Sequence, residues 1–162
     1  MRNLRSVFGG LFGGFLGAFI FMQLYATEPT PAAVPQLTIL STPEQDALNL
    51  PFAEGVRVGD VIVLSGQIGA KPGSLELVPG GVQAETRQTL ENIKASLHRY
   101  GSSMDRVFKC TVFIRDMADW PAMNEVYVEM FDGHRPARSA VGASGLALDG
   151  NVEIECFALV GG

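Results

Sequence analysis

P-A-R-S-A-V-G-A-S-G-L-A-L-D-G-N-V-E-I-E, residues 136–155, reads as a strand, a turn and the start of a second strand. Arg138 opens a run of small residues to Ala143 that is too short for a helix and is placed most simply as a strand. Gly145 and the segment Leu148-Asp149-Gly150-Asn151 supply the reversal, because Asp, Gly and Asn tolerate the dihedrals a turn demands. The second strand runs from Val152 to Val160. Side chains alternate along it, so Val152, Ile154, Cys156, Ala158 and Val160 share one face, while Glu153, Glu155, Phe157 and Leu159 share the other. A carboxylate set beside Phe and Leu must be solvated, paired or protonated, since burying it alone is costly. Arg138, delivered by the neighbouring strand, is the obvious candidate partner. The plainer alternative is a solvated sheet face with Arg138 as a surface charge.

Upstream, Leu37–Leu40 is a possible short strand, and Ser41–Leu50 is polar enough for a loop or a weak helical turn. Ala53–Val58 and Val61–Ser65 flank Gly59-Asp60, a two-residue hairpin signal. Residues 68–81 form a loop rich in Pro and Gly that has room for a pairing at Leu75-Glu76-Leu77. Val82–Tyr100 is the clearest helix, with Thr86, Leu90, Ile93 and Leu97 at the helical period and Gly101 as a stop. Arg106–Arg115 alternates as a strand, with Phe108, Cys110, Val112 and Ile114 predicted on one face. Trp120–Phe131 is a second helix, opened by Pro121 and striped by Trp120, Met123, Val126, Tyr127 and Met130. The order predicts an α+β fold, a single mixed β-sheet with two helices packed on one face. Val107, Phe113, Phe157 and Leu159 are left on the other face, and self-association is the simplest way to cover them.

The N-terminal end is different in kind. Arg2 and Arg5 precede an apolar run, Val7–Ala26, long enough to span a bilayer core as a hydrophobic helix. Residues 1–26 are therefore expected to be a signal anchor or a signal peptide, with the positive end cytoplasmic and the rest exported to the periplasmic side. A membrane-anchored product, a secreted soluble product after cleavage and a cytosolic product all stay open. Residues 27–36, with Pro29, Pro31 and Pro35, read as a semi-extended linker, and residues 37–162 as the folded domain. The formal net charge is −5. Setting aside Arg2 and Arg5 leaves the domain more acidic still, a poor match for nucleic acid. Cys110 and Cys156 are too few and too far apart for a metal site, and in strands they read as small buried hydrophobes. A disulfide is conceivable in an oxidising compartment, but spacing does not say whether the two come within reach.

Several blocks together resemble one family. Pro136-Ala137-Arg138-Ser139 with Val141, Ser144 and Leu146, then Val152-Glu153-Ile154, are similar to the signature of the RidA/YjgF reactive-intermediate deaminases. Pro51 to Asp60, Leu64-Ser65-Gly66-Gln67-Ile68, Glu85-Thr86-Arg87-Gln88 and Met123-Asn124-Glu125-Val126-Tyr127 resemble the same family in the same order. The resemblance implies a chorismate-mutase-like fold, a homotrimer with inward-facing sheets, and active sites in the clefts between subunits. It implies hydrolysis of enamines and imines such as 2-aminoacrylate to 2-oxo acids and ammonia, without metal or organic cofactor.

Under that resemblance Arg138 binds the substrate carboxylate, a task suited to a planar, permanently charged fork. Glu153 positions the hydrolytic water, with Glu155 structural. Phe52 walls the pocket where the family commonly has tyrosine, Ser65 and Gly66 line it with backbone, and Asn124 sits on its rim. Ala140 stands where a thiol or hydroxyl is frequent. His98 and His134 fit no motif and read as surface residues. Three functions are weighed: an imine hydrolase, a non-catalytic trimeric binding module for small carboxylates, and a structural protein in which the anchor matters. Retention of both Arg138 and Glu153 argues against the last.

Overall fold

The structure is a computed structural model that describes residues 34–161. Its elements, in order, are β1 (Leu37–Leu40), α1 (Pro43–Ala47), β2 (Gly55–Val58), β3 (Val61–Leu64), β4 (Gln67–Ile68), α2 (Gly81–Arg99), β5 (Val107–Ile114), α3 (Trp120–Phe131), β6 (Ala137–Gly142) and β7 (Val152–Leu159). The strands form one mixed sheet in the order β1-β2-β3-β7-β5-β6. Every pairing is antiparallel except β5 with β6, which α3 joins as a parallel crossover. The hairpin reads as expected: Val58 faces Val61 across Gly59-Asp60, and Gly59 takes a positive φ of 58° that favours glycine.

The two long helices, α2 and α3, lie on one face of the sheet. Leu90, Ile93 and Leu97 of α2 and Met123, Tyr127 and Phe131 of α3 meet Ile62, Leu64, Val112, Ile114, Val152, Ile154 and Ala158 in one core. The opposite face keeps large apolar groups in view, with Phe108 41% and Leu159 45% exposed. Phe108 packs edge-on against Phe157 there, at 6.3 Å between centroids.

The phase of β5 differs from its reading as a plain alternating strand. A bulge falls between Val107 and Lys109. It turns Val107 into the core, at 1% exposure, and puts Phe108 on the open side. An extra residue in one strand shifts every position before it by one face, and side-chain pattern alone does not reveal it.

A second irregularity lies where β3 gives way to β4 along β7. Val63 faces Phe157, whereas Gln67 faces Ile154, so four steps on one strand match three on the other. The surplus residue bulges the chain around Ser65-Gly66.

Cys110 and Cys156 sit directly opposite across β5 and β7, with Cα atoms 4.2 Å apart, and are joined as a disulfide in the core. Among the described residues no helix is long and apolar enough to cross a membrane. The apolar run Val7–Ala26, expected to be a hydrophobic helix, lies outside the described residues.

Candidate active site

Arg138 belongs to the edge strand β6, in register with Cys110 of β5. The side chain of Cys110 is in the core, so Arg138 projects to the same, helix-covered side. It meets α3 there. Trp120, Asn124 and Tyr127 recur at helical spacing along one face of α3 and form a shelf for the guanidinium. Nη1 of Arg138 donates to Oδ1 of Asn124 at 2.9 Å. The guanidinium carbon lies 4.6 Å from the Tyr127 ring centroid and 5.5 Å from that of Trp120. Cation–π contact on two rings orients the fork without neutralising it. Among the described residues no carboxylate lies within ion-pair distance of Arg138. Its remaining N–H donors can therefore serve an anion from outside.

Tyr127 is 6% exposed, and its hydroxyl has no hydrogen-bond partner among the described residues. Burial pushes its pKa up to about 12, against the opposing charge of Arg138, so the group stays a neutral donor beside the cation.

Glu153 is built on the other side of the sheet. It is half-buried on the open face of β7, opposite Phe113 of β5 and Ile68 of β4. Its carboxylate lies against the backbone of the bulge: a Cβ on Gly66 would fall 2.0 Å from Oε1. Only glycine leaves room for that approach. Burial raises the pKa of Glu153 above the ordinary 4.5, and the like charge of Glu155 raises it further. Such a carboxyl is a stronger base than a solvated one. Ser65, next to Gly66, is pinned twice to the loop before β2. Its Oγ donates to the Ala53 carbonyl at 2.7 Å and its N–H to the Glu54 carbonyl at 2.9 Å. Phe52, 52% exposed, sits at the start of that loop.

The expected site residues thus fall into two groups. Arg138 and Asn124 are brought together on the helix side, with Ala140 two residues on along the same face and partly packed into the core. Ser65, Gly66 and Glu153 are brought together on the open side. The expectation that Arg138 would face the glutamates from an adjacent strand is corrected. β5 lies between β6 and β7, and Arg138 and Glu153 point to opposite faces of the sheet. Trp120 and Tyr127 were legible only as part of an apolar helix stripe. The additional signal was the polar Asn124 between them, four residues from one and three from the other. His134, expected on the surface, is half-buried and sits 2.6 Å from the Val107 carbonyl through Nε2, whereas His98 is exposed.

The family profile named Endoribonuclease L-PSP matches residues 44–160. The 2-iminobutanoate/2-iminopropanoate deaminase of Mus musculus is 39% identical over 123 residues, covering 76% of this chain and 91% of the mouse protein. Among solved structures, the YjgF gene product of E. coli matches with a TM-score of 0.69 at 34% identity, over 75% of this chain and 98% of that one. E. coli TdcF, solved with bound serine, matches with a TM-score of 0.65 at 39% identity, over 69% and 90%.

Proposed function

Because this chain belongs to the Endoribonuclease L-PSP family, the RidA/YjgF lineage, we propose that it hydrolyses enamine and imine forms of small 2-oxo acids to the 2-oxo acid and ammonia. The observation that carries this reading is the guanidinium of Arg138, held in place by Asn124, Trp120 and Tyr127 yet without a carboxylate partner among the described residues. It suits the carboxylate of a small imino acid. The acidity of the chain argues against RNA as the substrate, despite the family's endoribonuclease name.

The reaction needs a water and a place for its proton. Glu153 accepts a proton from water as the oxygen bonds to the imine carbon and passes it to the nitrogen, giving a neutral carbinolamine. It then takes the carbinolamine's hydroxyl proton and delivers that second proton to the nitrogen as the C–N bond breaks, releasing ammonia and leaving the carbonyl of the 2-oxo acid. The raised pKa of Glu153, caused by burial and then by the like charge of Glu155, suits this role, because a more basic carboxylate takes a proton from water more readily than a solvated one. Arg138 holds the carboxylate so that the imine carbon faces the water, which reduces the entropy lost at the barrier.

The opposite placement of Arg138 and Glu153 supports a site shared by two copies of the chain, Arg138 from one and Glu153 with Ser65-Gly66 from the next. That assignment fits the homotrimer the family resemblance implies, and the exposed Phe108, Val141 and Leu159 supply apolar surface for such packing. The assay generates 2-aminoacrylate in situ with a dehydratase and follows pyruvate release by the full-length protein and its Arg138→Ala variant. Acceleration that the variant loses is the expected result. Wild type without acceleration would move the function to capture of a small carboxylate, the second reading, which the serine-bound TdcF structure favours.

The leader belongs to the same proposal. We place the domain outside the cytoplasm, behind a membrane anchor or a cleaved signal at residues 1–26. The Cys110–Cys156 disulfide supports this, since such bonds persist in oxidising compartments. A reporter fused after Gly162 should be active only outside; activity inside would overturn the placement.

A further inference from the structure

The carboxylate of Glu54 is 7% exposed and lies outside the groups that meet a substrate. Three side chains converge on it, Ser96 and Arg99 from the last turn of α2 and Tyr100 just after it. Arg99 Nη1 donates to Oε1 at 2.8 Å and to Oε2 at 3.0 Å, the Tyr100 hydroxyl donates to Oε2 at 2.5 Å, and the Ser96 hydroxyl donates to Oε1. A carboxylate so deeply placed is tolerable because each oxygen is met by donors and a cation. Desolvation, with the bond to Glu54 adding to it, pushes the Tyr100 pKa up to about 12, so the phenol remains a donor.

What this anchor holds is the loop before β2. The Glu54 carbonyl accepts the Ser65 N–H, and the neighbouring Ala53 carbonyl accepts the Ser65 hydroxyl. Ser65 precedes Gly66, whose Cα lies against the Glu153 carboxylate. A continuous chain of contacts therefore runs from the end of α2 through Glu54 to the bulge and on to Glu153. Arg138 is supported separately, by Trp120, Asn124 and Tyr127 of α3.

We propose that Glu54 is a positioning residue for the reaction: by clamping the Phe52–Glu54 loop onto α2 it sets the Ser65-Gly66 wall against which Glu153 holds its water. The inference deepens the deaminase reading and rests on it. Its signature is a split. Loss of Glu54 lowers kcat, because the water side loosens, and spares KM, because the carboxylate side is untouched. A glutamine keeps an acceptor oxygen and the shape, so it restores most of the lost rate.

The test measures steady-state imine hydrolysis by full-length wild type, Glu54→Ala and Glu54→Gln, together with amide hydrogen exchange. For Glu54→Ala, kcat is expected to fall about 10-fold, in keeping with the cost of displacing a catalytic group by a fraction of an ångström, with KM changed less than about 2-fold. Glu54→Gln should return to within about 3-fold of wild type. Exchange at Ser65 and Gly66 should quicken while that of α3 stays as in wild type. An unchanged kcat, or kcat and KM worsening together with faster exchange in both helices, would overturn the proposal. If Glu54→Ala does not fold, the pair Ser96→Ala and Tyr100→Phe removes two of the three donors and leaves Arg99 in place. The same split is expected at about 3-fold, and its absence is equally decisive. If the wild type hydrolyses no imine, the deaminase reading fails, and the local exchange response still decides whether Glu54 sets this wall.

Discussion

The helix side of the sheet and its open side solve opposite problems. Around Arg138 the charge is permanent, and the task is orientation, met by two aromatic rings and an amide on α3. Around Glu153 the charge is adjustable, and the task is tuning, met by partial burial, a like charge at Glu155 and a backbone bulge that lets the carboxylate rest on glycine. The first arrangement can be built on a rigid helix. The second needs a strand edge that bends. The two stand back to back on opposite faces of the sheet, and under the proposed function one copy of the chain carries two halves of different sites rather than one whole site.

The largest effect tests that division. Arg138→Ala and Glu153→Gln are each expected to lower kcat/KM by about 10³-fold, the first by losing a charge-assisted clamp and the second by losing the base. Mixed and reassembled in equal amounts, the two inactive proteins should regain activity. In a cyclic assembly that takes Arg138 from one copy and Glu153 from the next, about a quarter of the sites receive both intact residues. Recovery is read as pyruvate release after co-refolding. No recovery, with mixed oligomers confirmed by mass spectrometry, would break the comparison, because both residues would then have to act within one copy.

The disulfide lies between the two halves, in the same row of the sheet as Arg138 and three residues along β7 from Glu153. It closes a loop with a sequence separation of 46 residues. In the chain-entropy account a loop of that size stabilises the fold by about 4 kcal/mol. The Cys110→Ala/Cys156→Ala protein should therefore unfold at markedly lower urea than wild type, compared at one protomer concentration because assembly contributes to the midpoint. An equal midpoint would show that the bond adds nothing to the core packing around it.

A smaller effect separates the halves at a single atom. Gly66→Ala places a methyl where Oε1 of Glu153 now lies. The carboxylate must swing away, and kcat should drop about 10-fold or more while KM, governed by the Arg138 side, stays near wild type. A change in KM alone would mean that the bulge contacts the substrate instead of the base.

Much of this was legible from residue pattern, and the failures have a common cause. The bounds of α3 agree with the reading because Pro121 opens a helix whose apolar stripe then persists to Phe131. The hairpin at Gly59-Asp60 and the two faces of β7 follow from local chemistry too. The phase of β5 did not, because a bulge inserts a residue without any mark in composition. The relation of Arg138 to Glu153 did not, because which face a strand presents depends on distant pairings, here a parallel one between β5 and β6. The Cys110–Cys156 pairing was open for the same reason: only register places the two opposite each other. Trp120 and Tyr127 were read as core, and a helix stripe that supports a cation has the same spacing as one that fills a core.

The finest distinction is in the pH behaviour of stability. Burial and Glu155 raise the Glu153 pKa above 4.5, so the ionised form is disfavoured in the folded protein relative to the unfolded chain. Below that ordinary value the group is protonated in both states and no penalty exists. As the pH rises through the raised folded pKa, stability is lost. Glu153→Gln removes the charge and with it the penalty, so the variant should melt higher than wild type at neutral pH and close to it below pH 4.5. In wild type the acid limb of kcat/KM should fall above that same value, because the base works only when ionised. Activity thus requires the form that the fold tolerates least. Arg138 shows no such opposition: the rings and amide that orient its guanidinium also favour it in place. Replacing it should cost activity with no gain in melting temperature at any pH. A stabilising Arg138→Ala, or a Glu153→Gln that melts lower at neutral pH, would show that the difference between the two sides of the sheet has been drawn the wrong way round.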